Sequence, residues 1–222
     1  MTDKEKIKQH PAYIQYIKNP SKKLQKIALK KSGGSIFKYI KKPSKKIQFL
    51  AVSLFDRNIK YIKNPREGLQ LAAVQNDGSN IQYIKNPSTM IQHKAVSTNG
   101  DAIKYIKNPS EEIQLAAIYE NPWSIKYINN PNKRVQLAAV TLVGHVIQYI
   151  NTDLDKDVQL AAIKENKYVS KYEHENITID PYDTDDGCSV LPYRYMRRDI
   201  LPFAYIQNPD PDVIDYMVRN IL

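Results

Sequence analysis

The chain has 222 residues, of which 25% are charged and 42% hydrophobic, and carries a formal net charge of +10. No apolar run approaches the roughly 18 residues a membrane helix needs. The charged start Met1-Thr-Asp-Lys-Glu-Lys lacks the apolar stretch of a signal peptide. A single cysteine, Cys188, forms no internal disulfide, so a reducing cytosol is the expected compartment.

Taken in chain order, the sequence repeats itself. The phrase Tyr-Ile-Lys-Asn-Pro sets the register, with prolines at Pro20, Pro43, Pro65, Pro87, Pro109 and Pro131, a first step of 23 residues and four steps of 22. Tyr16, Tyr39, Tyr61, Tyr83, Tyr105, Tyr127 and Tyr149 keep the same step, as do Gln25, Gln48, Gln70, Gln92, Gln114 and Gln136. A period of this length marks a repeat array, in which each unit buries its apolar face only against its neighbours.

One unit, Ala102 to Glu120, shows the expected local structure. Ile103 and Ile106 stand three apart, the spacing of one face of a short first helix. Asn108 and Pro109 break it, the asparagine entering a left-handed or turn conformation. Pro109 and Ser110 open a second helix with Glu111 and Glu112 in its first turn, where negative charge suits the helix dipole. Ile113, Leu115, Ala116, Ala117 and Ile118 make that helix apolar nearly all round, so neighbouring units should bury it. Helices this short are marginal alone; stacking must hold them.

After Tyr172 the pattern yields to a polar stretch rich in turn formers, read as an inserted acidic loop around Asp183, Asp185 and Asp186. The repeat returns in degenerate form at Tyr205-Ile-Gln-Asn-Pro209. The predicted fold is therefore all-α: a right-handed α-solenoid of about seven to eight helix–turn–helix repeats over residues 1–172, closed by an atypical cap over 173–222 that carries the insertion.

The unit resembles a shortened HEAT-type repeat. It also resembles the leucine-rich repeat variant family, whose units carry a similar Asn-Pro. The cysteine cluster that binds iron and sulfur in some members of that family has no counterpart here beyond Cys188. The phrases I-K-Y-I-K-N-P-S and E-E-I-Q-L-A-A-I further resemble tandem repeats of uncharacterised bacterial and bacteriophage proteins. The resemblance covers residues 12–172. Its phage side implies one specific role, a viral inhibitor of a host defence protein such as an RNA-guided nuclease, acting in the host cytoplasm. Its HEAT side allows a DNA-glycosylase-like enzyme, by analogy of fold alone.

Charge is polarised. Residues 1–110 hold 22 Lys/Arg against 6 Asp/Glu, a net +16, while residues 111–222 hold 11 against 17, a net −6. Lysine recurs at two positions of the unit: before the tyrosine (Lys38, Lys60, Lys104) and after Tyr-Ile (Lys41, Lys63, Lys85, Lys107). These rows read either as a solvated face or as an electropositive track for an acidic protein surface or for phosphates. Asparagine replaces lysine at positions 129 and 151, which favours a functional row. The tyrosine ladder could stack bases, but its rings are expected to pack between successive first helices with the hydroxyls reaching water, and the glutamines to bond backbone of the next unit. Trp123 is open between two readings, a binding hot spot and a filler between units.

The chemistry of the chain is sparse. His10, His93, His145 and His174 share no metal-ligand spacing, and the stretch Asp180–Gly187 fails the register of an EF-hand. No phosphate-cradling glycine loop is present; Gly33-Gly34 reads as a turn. The expectation is a non-enzymatic binding scaffold with no cofactor and no small-molecule substrate. Its partner is an acidic protein first and nucleic acid second, and the candidate contacts are the two lysine rows, Trp123, Asp183, Asp185 and Asp186.

Overall fold

A computed structural model describes residues 1–150, 152–173, 206 and 209–220, the side chains of 166–173 and 220 excepted. They fall into two compact units, Met1–Asn121 and Pro122–Leu222. All regular structure among the described residues is helical, in the tandem arrangement of an α-solenoid.

The first unit opens with α1 (Asp3–Gln9), whose start is fixed by a capping box between Thr2 and Glu5. Five repeats follow, each a short 3₁₀ segment and then an α-helix. The segments are Pro11–Tyr16, Phe37–Tyr39, Asp56–Tyr61, Gly78–Tyr83 and Gly100–Tyr105. The α-helices are α2 (Lys22–Lys31), α3 (Lys45–Leu54), α4 (Glu67–Asn76), α5 (Thr89–Thr98) and α6 (Glu111–Glu120). The second unit holds two such pairs, Pro122–Tyr127 with α7 (Lys133–Leu142) and Gly144–Tyr149 with α8 (Lys156–Glu173), and then α9 (Pro211–Asn220).

The expected first helix is thus a 3₁₀ helix rather than an α-helix. It is squeezed between fixed ends. In the fifth repeat Asn99 is extended, at φ −155° and ψ 106°, and its side chain accepts from the Asp101 N–H. At the other end Asn64, Asn86, Asn108 and Asn130 stand at φ between +48° and +54°, the left-handed turn anticipated for them. Lys42 takes the same conformation without the local side-chain bonding that makes it easier for asparagine. Six residues between such ends suit the tighter winding, in which side chains three apart eclipse.

That winding sets the core. Ile103 is 1% and Ile106 8% exposed, and the equivalent pairs Ile59/Ile62, Ile81/Ile84 and Ile125/Ile128 are buried alike. The helices α2 to α7 each bury at least three positions, as in Ile113, Ala117 and Ile118 of α6, all at 0%. In each of the Ala-Ala pairs at 72–73, 116–117, 138–139 and 161–162 the second alanine is fully buried. The α-helices start on Ser21, Ser44, Arg66, Ser88, Ser110 and Asn132, the residue after each proline. Ser21, Ser110 and Asn132 use their side chains to accept from a first-turn N–H.

The glutamine ladder differs from expectation. Each amide donates to the proline carbonyl five residues earlier in its own repeat: Gln70 Nε2 to Pro65 O at 2.7 Å, Gln92 to Pro87 at 3.0 Å, Gln114 to Pro109 at 2.9 Å. The bond therefore closes the turn rather than joining units. A five-residue loop back across a helix start lies within reach of an amide, and the proline carbonyl has no helical partner. A link to the next repeat exists at two positions. Gln136 Nε2 also donates to Thr152 Oγ1 at 2.9 Å, and Gln159 Oε1 accepts from the Asp210 N–H at 3.1 Å. Gln136→Ala should destabilise by about 1–3 kcal/mol, because it leaves the buried Pro131 carbonyl unpartnered; urea unfolding reads this directly.

Candidate functional site: the lysine and tyrosine edge of the repeats

Ile-x-Tyr-Ile places two isoleucines on one edge of the 3₁₀ segment, so the tyrosine between them falls on another. The tyrosines accordingly keep contact with water: Tyr16 is 74%, Tyr61 47%, Tyr105 39% and Tyr149 38% exposed, while Tyr39, Tyr83 and Tyr127 are less exposed. Partial exposure agrees with hydroxyls that reach water, and at Tyr16 and Tyr61 the rings are more open than packing between first helices implies.

The lysine preceding each tyrosine covers the ring. Lys38 Nζ lies 4.9 Å from the Tyr39 centroid, Lys60 5.0 Å from Tyr61, and Lys104 5.0 Å from Tyr105. In the second unit Lys126 lies 4.8 Å from Tyr127. Such cation–π contacts at exposed sites contribute about 0.5–1 kcal/mol each. Where glutamine replaces lysine, the side chain turns back on its own segment: Gln82 Nε2 donates to Ser79 O and Gln148 Nε2 to His145 O.

The second row, Lys41, Lys63, Lys85 and Lys107, stands at the turn just before the left-handed residue, and all four are exposed. Among the described residues none of these four forms an ion pair or a cation–π contact. Neighbouring helices pack about 8–10 Å apart, so stacked repeats carry their lysines at roughly that step.

The second unit treats its cations differently. Lys133 bridges Asp155 at 2.9 Å and Asp157 at 2.6 Å, and Lys156 meets Asp212. The bond from Asp157, then that from Asp155, holds the Lys133 ammonium above its ordinary pKa. The bond from Lys133 holds the Asp155 carboxyl below its own. Burial pushes the Glu165 carboxyl up, against the pull of the Gly144 N–H that it accepts and of His145.

Trp123 is half-buried, and its ring meets Tyr149 of the following repeat edge-on, centroids 5.9 Å apart and planes at 70°. Of its two readings, the packing one matches this contact within the second unit. Asp183, Asp185 and Asp186, with the rest of the acidic insertion, lie outside the described residues. Among the described residues no helix is long and apolar enough to cross a membrane, and no group of three or more His, Cys, Asp or Glu side chains is placed to hold a metal.

One feature of the first unit escaped the ladder reading. Lys22 and Lys26 of α2 and Lys45 and Lys46 of α3 converge on one groove between the two α-helices. The signal was present: α2 holds five lysines in ten residues and no acid. It forms no ladder, because Lys22 and Lys45 share one position of the unit, two after the proline, where the next three repeats hold Glu67, Thr89 and Glu111. Comparison with protein-family models, with curated proteins and with solved structures gives no match.

Proposed function

We propose that the chain is a non-enzymatic binding scaffold whose first unit docks an acidic protein surface along the two lysine rows. One observation carries this reading. Lys41, Lys63, Lys85 and Lys107 repeat at one place of successive repeats, exposed and without an ion pair among the described residues, whereas Lys133 of the second unit is neutralised by two aspartates. A row of fixed point charges complements a row of carboxylates and steers their encounter. Lysine, a hydrated point charge, suits such docking more than bidentate recognition, for which arginine is the better group. Likeness to HEAT-type repeats and to phage-borne arrays gives the reading a narrower form, a viral protein occupying a host defence nuclease.

A second reading is direct binding of a nucleic-acid backbone, and the half-exposed tyrosines favour it, since bases stack on aromatic rings. The lysines lying over those rings count against it, because each already covers one ring face.

The test compares poly-glutamate with single-stranded oligonucleotides of equal charge, measured by fluorescence anisotropy on the full chain. Tight capture of poly-glutamate, with oligonucleotides weaker, supports the protein reading. Preference for the oligonucleotide replaces it with the second, and binding of neither removes both.

A further inference from the structure

A groove of about 940 Å³ separates α2 from α3. Lys22 and Lys26, one turn apart on α2, form one wall, and Lys45 and Lys46 in the first turn of α3 form the other. Between them lie Pro43, Leu50 and the largely buried Ile47, with Ser44 and Gln48 beside them, and among the described residues no carboxylate lines the groove. Phe49, on the same helix, is 55% exposed. The four lysines are exposed, and none forms an ion pair among the described residues.

The corresponding groove between α5 and α6 provides a contrast. It has about 480 Å³ and is lined by Glu112 and Glu120 together with His93, Leu115 and Tyr119. The two grooves overlap in the repeat, with His93 standing where Lys26 does and Glu112 where Lys46 does, although the second reaches about one turn further along its helices, and they carry opposite charge. Stacking of repeats therefore explains a groove at this place, but not the four lysines around this one.

We propose that the α2–α3 groove binds an acidic amphipathic helix of another protein. Apolar side chains of that helix would sit on Pro43, Ile47 and Leu50, with carboxylates on both flanks meeting Lys22, Lys26, Lys45 and Lys46. An apolar stripe laid in a groove is a recurrent mode of helix recognition. Lysine suits the walls, since its methylene stem adds apolar lining while its ammonium stays at the rim. A nucleic-acid backbone or a flat anionic bilayer would satisfy the four charges and leave the apolar floor wet. None of the row lysines lines this groove, so this site and the lysine rows can fail independently.

The probe is a labelled peptide of about four turns with leucine at i, i+3, i+4 and i+7, glutamate on the two flanks of that stripe and alanine elsewhere to favour the helix. Its binding to the full chain is followed by fluorescence anisotropy. Changing Lys22, Lys26, Lys45 and Lys46 together to Gln should weaken it at least about tenfold, and replacing the leucines by serine at unchanged charge should do the same. Changing Lys63, Lys85 and Lys107 to Gln should alter it by less than about twofold, because distant sites act independently. Should the fourfold variant lose its cooperative melt, the pair Lys26→Gln and Lys45→Gln gives the same reading at a smaller loss. Equal binding of the serine peptide, indifference to the groove substitutions, or displacement by oligothymidylate or phosphatidylserine vesicles at matched charge would each overturn the proposal.

Discussion

Gly78→Ala should destabilise the first unit by about 1–3 kcal/mol, the usual cost of forcing extra volume into a packed interior. A Cβ at Gly78 would stand 2.2 Å from the Ala95 carbonyl oxygen of α5, the α-helix of the same repeat. That oxygen cannot swing aside, because it is backbone and already accepts the Asn99 N–H that ends α5, at 3.0 Å. The glycine thus serves close approach and not a left-handed backbone. The same contact recurs in the second unit, where a Cβ at Gly144 would stand 2.3 Å from the Ala162 oxygen. Gly68→Ala is the control with opposite sign. Gly68 lies in α4 with nothing within 4 Å of its would-be Cβ, so alanine should stabilise by about 0.5–1 kcal/mol through helix propensity and a less flexible unfolded chain. Urea unfolding of the two variants beside the native chain checks both. A Gly78→Ala variant as stable as the Gly68→Ala variant would mean that the 3₁₀ segment and the α-helix of a repeat are not packed at this distance.

Much of this architecture was legible in the sequence because a repeat states its own register. Proline marks the start of α2 to α7, the residue before it takes the left-handed turn from Lys42 to Asn130, and the buried positions recur every 22 residues, as at Ile91 and Ile113. The errors share a physical cause. Six residues are too few to tell a 3₁₀ from an α period, and the edge on which Tyr105 falls depends on that choice. The partner of Gln114 differs from expectation for a related reason: the nearest carbonyl without a helical partner is that of Pro109, five residues away inside the same repeat, and a repeat pattern alone does not separate it from carbonyls of the next one. The lysine rows were visible because they repeat. The groove at Lys22, Lys26, Lys45 and Lys46 was not, since the position that Lys22 and Lys45 share turns to Glu67, Thr89 and Glu111 in the next repeats, and Lys26 and Lys46 stand at others.

Changing Lys63, Lys85 and Lys107 together to Glu should abolish binding of poly-glutamate to the full chain, while an equal charge change elsewhere should not. The first unit holds 22 Lys/Arg against 9 Asp/Glu, a net +13 that three reversals lower to +7. A general attraction to polyanions would track that total, so the loss alone proves little. The matched control reverses Lys8, Lys23 and Lys30, all exposed and outside both the rows and the α2–α3 groove. Its net charge is the same +7, and under the row reading it should lower the affinity by less than about threefold, through screened long-range attraction only. Salt supplies the second axis. For a single-stranded nucleic acid, log K falls against log salt with a slope of about −0.7 per phosphate neutralised, so losing three row contacts would make the slope shallower by about 2. The control should leave the slope of the native chain intact. Equal losses from the two triple variants would reduce the rows to a solvated basic face, and the repeat would then owe its lysines to solubility.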